Sequence, residues 1–241
     1  MFDEEPNVDT LLDAAANLAP VLGDDFEIIV VDDGSRDAGP DRVAERARRD
    51  PRVRLLHHPR NVGYGAALQS GLRAARGELV FFTDADLQFD LGEIARLLEH
   101  ADDFDLVVGY RAPRRDPWRR RALAAGWGFL VRTLFGLRVR DIDCAFKVLR
   151  RPVIEALPIA SIGAFVNTEL LLRARRAGFR IQEVPVTHHP RRAGRAKGAT
   201  PRVILRALLE LALLYRELAA PGVGLPKRES WGTGPDPRTG S

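Results

Sequence analysis

Two carboxylates one residue apart, Asp84 and Asp86, follow the apolar run Leu79-Val80-Phe81-Phe82 after a single Thr83. If that run is a strand, alternation sends both side chains to the same side of its end. Two like charges so placed repel each other unless a cation lies between them. Magnesium and manganese take carboxylate oxygens and keep other positions for phosphate oxygens. Gln88, two residues on, offers a third oxygen. The expected metal set is therefore Asp84, Asp86 and Gln88, holding Mg2+ or Mn2+. A pair of solvated loop aspartates is the competing reading. Asp90 stands ready to cap the next helix, which leaves the pair for chemistry.

Other clusters sit at similar places. Asp32-Asp33-Gly34-Ser35 follows Phe26-Glu27-Ile28-Ile29-Val30-Val31. A carboxylate there can accept hydrogen bonds from a nucleobase or ribose while the glycine permits a sharp turn; taken alone, the segment reads as an ordinary Asp-Gly turn. Asn61-Val62-Gly63-Tyr64-Gly65 precedes a helix whose N-terminus would favour an anion, or is a plain connecting loop. It matches neither a P-loop nor G-x-G-x-x-G, against an NTPase or a nicotinamide enzyme. Arg111 ends the run Leu106-Val107-Val108-Gly109-Tyr110 and can neutralise a leaving diphosphate. Arg114, Arg115, Arg119, Arg120 and Arg121 read mostly as a solvated basic face. Arg191 to Lys197 forms a basic loop suited to an acceptor phosphate or anionic headgroups. His188 and His189 beside it have no third ligand nearby and read as structural.

The elements that must hold these groups alternate. Strands are expected at 26–31, 53–57, 79–82 and 106–109, and helices begin near Pro40, Tyr64 and Asp90. The Tyr64–Arg76 helix closes at Gly77. This order predicts a mostly parallel sheet with helices on both faces, and a crevice beyond the carboxyl ends of its strands. The second half is less regular: a helix at 118–135, a loop and strand at 141–151, a helix at 166–177, and a strand at 179–187 whose Pro185 suits a sheet edge. The leucines of 202–218 fit core packing or a homodimer seam. The Gly-, Pro- and Ser-rich stretch 221–241 is expected to be a disordered tail.

Bulk properties bound the answer. The 241 residues are 45% hydrophobic, enough for one sizeable α/β domain. One cysteine rules out a disulfide framework and fits a reducing compartment. No run approaches the roughly 20 apolar residues of a membrane span, and the first residues lack the features of a signal peptide. The net charge of +4 suits anionic partners. Nucleic acid is not the expected one, because the basic residues lack interleaved aromatics and no binding motif appears.

Together these segments resemble the family 2 inverting glycosyltransferases of GT-A fold (Rossmann-like), and among them the dolichyl- and polyprenyl-phosphate mannose or glucose synthases. The residues that carry the resemblance are Val30 to Ser35, Asn61 to Ala67, Thr83 to Gln88, Asp141-Ile142-Asp143-Cys144-Ala145-Phe146-Lys147, Asn167 to Leu171 and Gly178 to Val186. The resemblance implies one domain over 1–220, with a nucleotide-sugar half at about 1–112 and an acceptor half at about 113–220. It implies transfer of a hexose, with inversion, from a GDP- or UDP-hexose to a polyprenyl phosphate; a saccharide hydroxyl is the alternative acceptor, and a truncated, non-catalytic homologue a further one. By resemblance Asp32 or Asp33 contacts the nucleoside, Glu4 and Gly63 line the donor, Asp84, Asp86 and Gln88 hold the metal, and Arg111 meets the phosphates. Asp141, Arg191 and Lys197 would meet substrate on the acceptor side, and Glu169, with Asp86 and Arg111, would serve catalysis.

Departures from the pattern stand at several positions. The family opens with a buried strand ending in a Pro-x-Tyr-Asn-Glu-Glu-like segment, and here only Phe2-Asp3-Glu4-Glu5 matches its end, so the first strand is expected to be missing. Tyr64 stands where lysine is common, Ala145 where glycine is usual, and Ala196 where serine is. Asn167 occupies a place that is often acidic, which removes one candidate base and favours an acceptor that is already ionised. The expected location is cytoplasmic, peripheral on the inner face of the plasma membrane, through the 191–197 loop and the 202–218 helix.

Overall fold

The structure is a computed structural model that describes residues 1–23, 25–113, 118–191 and 201–219. The first sheet is a parallel pair, β1 (Ile28–Asp32) and β2 (Val53–His57), in register from Ile28 opposite Val53 to Asp32 opposite His57. The crossover is α3 (Gly39–Arg49), opened by Pro40 in its first turn, where a missing N–H is no loss. Val43 of α3 packs with Val30, Val53 and the buried Val8 and Leu12 of α1 (Glu5–Ala16). Sequence reading left α1 and the short α2 (Ala19–Leu22) unassigned.

After α4 (Tyr64–Ala74) the second sheet begins. Its order is β3 (Leu79–Thr83), β5 (Phe146–Arg150), β4 (Leu106–Arg111), β6 (Ile181–Val186). β4 and β6 are parallel, whereas β5 is antiparallel to both β3 and β4. The sheet is therefore mixed where a mostly parallel one was expected. The reason lies in the connection: the chain leaves β4 at its carboxyl end, runs through α6 (Trp118–Phe135), and re-enters the sheet from that same end. β5 consequently starts where β3 stops, with Phe146 opposite Thr83 and Lys147 opposite Phe82. β6, with its Pro185, lies at the edge as its composition requires.

Period-two alternation divides the sheet's side chains between two cores. Leu106, Val108 and Leu149 face α7 (Arg151–Ala156), α8 (Val166–Arg176) and parts of α6 and α9 (Pro201–Ala219). Val107, Phe146, Val148, Val184 and Val186 face Leu18 and α5 (Ile94–Leu98). Helices thus cover both faces. Asp90 accepts from the Gly92 amide at 2.9 Å and caps the 3-10 turn that leads into α5. The α4 helix stops at Ala74, short of the expected end at Gly77.

Among the described residues the first strand in chain order is β1, with α1 and α2 ahead of it. Met1 meets the edge of β1 away from β2. Its amino group donates to the Val31 carbonyl and its own carbonyl accepts from the Asp33 amide. No strand pair joins the two sheets among the described residues. Lys197 and the 221–241 tail lie outside those residues. α6 and α9 expose Trp118, Leu123, Phe129, Leu205, Leu209 and Leu213, and Trp118, Leu123, Trp127, Leu130 and Leu208 line an apolar groove of about 660 Å³ between these helices. Among the described residues no helix is long and apolar enough to cross a membrane.

Candidate active site

Asp84 and Asp86 leave the end of β3 as expected, and a loop brings Glu4 beside them. Asp86 is buried. Burial, and then the neighbouring Asp86 charge, push the Asp84 carboxyl up to about 6. Leu87 between Asp86 and Gln88 has φ of 57°, a left-handed conformation that a leucine adopts only under constraint. Two crowded, desolvated carboxylates are the kind of pair that a divalent cation relieves, so the donor set fits magnesium or manganese. Among the described residues no third acidic, histidine or cysteine side chain joins them as a ligand. Remaining oxygens must come from Gln88, water or phosphate. Gln88 itself is engaged with the strand opposite: its Nε2 donates to the His189 carbonyl at 3.1 Å, and the His189 amide donates to the Gln88 carbonyl at 2.8 Å.

Arg191 reaches into this cluster. Its Nη2 hydrogen-bonds Glu4 and lies 3.7 Å from Asp86 Oδ2. Burial raises the Glu4 carboxyl pKa against the lowering effect of Arg191. The second expected acceptor cation, Lys197, falls outside the described residues.

Beneath the aspartates lies a group that sequence reading did not single out. Lys147 is fully buried on β5, and its Nζ donates to the Cys144 carbonyl, to the Ile142 carbonyl at 3.3 Å and to Asn167 Oδ1 at 2.9 Å. Burial lowers its pKa, and the charges of Asp143, Asp141 and Asp84 oppose that. Lys147 therefore ties the 141–144 loop to α8 and sets a positive charge under the acidic cluster. The Tyr64 hydroxyl interacts with both Asp84 and Asn167, and burial holds its pKa well above the ordinary value. A charged residue inside the apolar run Phe146-Lys147-Val148-Leu149, in a chain poor in lysine, was the available signal. Cys144, in the same loop, is buried, and burial pushes its thiol up to about 12.

Arg111 and Asp141 meet each other. Arg111 Nε donates to Asp141 Oδ2 at 2.6 Å and Nη2 to Oδ1 at 2.7 Å, a bidentate pair that is 8% and 6% exposed. Asp141 is thus placed to orient Arg111.

Three expectations change once the contacts are seen. Asp32 and Asp33 are buried and already bonded: Asp32 accepts from the Ser35 amide at 3.2 Å and pairs with His57 Nδ1 at 2.8 Å. Asp33 accepts from the Val62 and Gly63 amides at 2.9 and 2.8 Å and pairs with His58 at 2.8 Å. Both carboxylates are thus bound up in holding the turns after β1 and β2 together. The N-terminus of α4 is filled as well, because Ile162 O accepts from Gly65 at 2.9 Å. Gly63 has φ of 122°, and a Cβ there would lie 2.4 Å from the Ile162 carbonyl oxygen, so its role is close packing, not anion binding.

Glu169 is the clearest correction. It is 2% exposed; its oxygens accept from the Ala160 and Ser161 amides at 3.1 and 2.8 Å and from Arg173 Nε at 2.7 Å. Arg173 in turn donates two hydrogen bonds to Glu217 of α9, at 2.8 and 3.0 Å. On α8, Glu169 lies two residues, about 200° of helical turn, from Asn167, which faces Lys147. Glu169 therefore braces α8 against α9 and is not brought to the aspartate pair.

Comparison with known proteins gives the family and the fold. The model of the family described as "Glycosyl transferase family 2" matches residues 1–157. The chain is 35% identical to glycosyltransferase AglD of Haloferax volcanii over 77% of its length, covering 30% of that protein. It is 32% identical to dodecaprenyl-phosphate galacturonate synthase of Rhizobium johnstonii, over 92% of this chain and 67% of that one. It is 31% identical to undecaprenyl-phosphate 4-deoxy-4-formamido-L-arabinose transferase of Edwardsiella ictaluri, over 85% of this chain and 62% of that one. The chain thus spans between about a third and two thirds of these relatives' length. The structure of glucosyl-3-phosphoglycerate synthase from Mycobacterium tuberculosis with Mn2+ and UDP-glucose superposes with a TM-score of 0.67 at 24% identity, over 87% of this chain and 76% of that one, a likeness of fold.

The fold is that of the GT-A glycosyltransferases. The chain belongs to glycosyl transferase family 2.

Proposed function

We propose that the chain transfers a hexose, with inversion, from a nucleoside diphosphate sugar to a polyprenyl phosphate. The observation that carries the reading is the Asp84–Asp86 pair, desolvated and mutually repelling at the end of β3. Asp84 and Asp86, with Gln88, would hold Mg2+ or Mn2+. When bound, such a cation supplies charge neutralisation at the diphosphate oxygens. Arg111, held in place by Asp141, adds a fixed positive charge where the leaving diphosphate develops its own. An acceptor phosphate oxygen attacks the anomeric carbon, the bond from that carbon to the diphosphate oxygen breaks, and its electrons leave with the nucleoside diphosphate.

The candidate bases bear on the acceptor, and Asp141 is already paired with Arg111. Asn167 cannot take a proton and its oxygen is bonded to Lys147; Glu169 is locked to Arg173. A saccharide hydroxyl needs a positioned base. A phosphate monoester, with a second pKa near 6, is already ionised at neutral pH. The names of two relatives specify polyprenyl phosphates, which supports the same acceptor here. The basic 191–197 segment and the apolar faces of α6 and α9 suit attachment to the anionic inner face of the plasma membrane. Attachment should appear as co-sedimentation with anionic vesicles that weakens with salt; equal recovery with neutral vesicles counts against it.

The test is product formation from UDP- and GDP-hexoses with manganese, offered undecaprenyl phosphate or a panel of saccharides. Transfer to the lipid phosphate that is lost in Asp86→Ala is expected. Transfer to saccharides alone overturns the acceptor assignment.

A further inference from the structure

A guanidinium cannot give up its proton at any ordinary pH, so Arg191 brings a permanent positive charge to Asp86. Arg191 is 22% exposed and bonded to Glu4 as well, so it is held in the cluster from two sides. The segment that delivers it is pinned to the aspartate loop. Thr187 donates from its amide at 2.6 Å and its hydroxyl at 2.7 Å to Glu93, Phe89 and His188 form a β-bridge, and Gln88 and His189 exchange two hydrogen bonds. The chain is fixed as far as His189, and Arg191, two residues on, points back over the carboxylates.

We propose that Arg191 is a built-in competitor for the divalent cation: it neutralises Asp86 while the donor site is empty, and the cation arriving with the nucleotide displaces it. This rests on the metal reading given above. A cation ligated by Asp86 and the Arg191 guanidinium would stand within a few ångströms of each other, and like charges so close repel strongly. The displaced guanidinium stays tethered at the rim by the pinned residues 187–189. It becomes available to an acceptor phosphate only once the donor is in place. Binding is thereby ordered, donor before acceptor, by exchange of one positive charge for another. Glu4 is the second half of the device, since it retains the arginine in the resting state.

The test measures Mn2+ affinity of the full chain without nucleotide, by calorimetry and by electron paramagnetic resonance. Arg191→Gln should bind Mn2+ about tenfold more tightly than wild type, since removing a neighbouring cation favours the metal. Arg191→Lys, which keeps a charge, should remain near wild type. A gain in affinity cannot come from misfolding. If wild type binds Mn2+ in an Asp86-dependent way but Arg191→Gln binds it equally or more weakly, the competitor idea is overturned and the metal site stands. If neither protein shows Asp86-dependent binding, both ideas fall together.

Discussion

Two buried acidic sites within one chain make opposite uses of the carboxylate. Glu169 has every partner it needs: two backbone amides, and an arginine that is itself fastened to Glu217. Asp84 and Asp86 crowd each other, and burial, with the Asp86 charge second, pushes the Asp84 carboxyl up to about 6. A satisfied buried charge stabilises a fold only if it stays paired, whereas a crowded one stores a cost that a ligand can relieve. Burial alone therefore does not mark a functional residue. Like charges crowded together at a strand end do.

The contrast can be broken most sharply with Asp86→Ala. Transfer should fall by about a thousandfold, the scale seen when a charge-stabilising group is removed from an active site, with little change in melting temperature. Near-normal turnover would show that the pair is not the catalytic centre. Glu169→Ala should do the reverse: it leaves the Ala160 and Ser161 amides and the Nε of Arg173 unpaired in a buried interface and should cost about 3 kcal/mol in denaturant unfolding. A loss below 1 kcal/mol would mean that the α8–α9 brace is weak.

Asp84→Asn sharpens the comparison through pH. Folding raises this carboxyl from 3.8 to about 6, so ionising it disfavours the folded chain. The metal-free protein should lose stability as pH climbs from about 4 through 6, then level off. The asparagine variant should escape this loss and be more stable by about 2 kcal/mol at pH 7.5, while failing to bind manganese. Melting curves at pH 4.5 and 7.5 decide the matter; an identical gap between the two proteins at both values is the adverse result. Smallest of all should be Arg42→Ala. Its pairs with Glu5 and Asp9 are exposed, and a change under about 1 kcal/mol is expected.

Much of this was legible in the sequence, for physical reasons. Val53 to His57 and Leu79 to Thr83 announce themselves by apolar runs followed by polar turns, and the aspartate pair is local, so its spacing alone predicted a shared direction. The direction of β5 was not legible. It depends on where α6 returns the chain, and no periodicity encodes that. The contact of Lys147 with Asn167 escaped notice for the same reason, since the two meet only because β5 and α8 pack together. Glu169 was misassigned because a carboxylate near a functional motif looks alike whether or not an arginine one helical turn away has claimed it.

Cys144 has a practical consequence. It is the chain's single cysteine, fully buried, with a thiol pushed up to about 12, so almost none of it is thiolate at neutral pH. Thiol-directed dyes should pass it by without any need to mutate it. A cysteine introduced at Phe129 or Leu209, both well exposed, would be the one reactive handle on the molecule. An environment-sensitive fluorophore there could report, by the colour of its emission, whether α6 and α9 enter a bilayer.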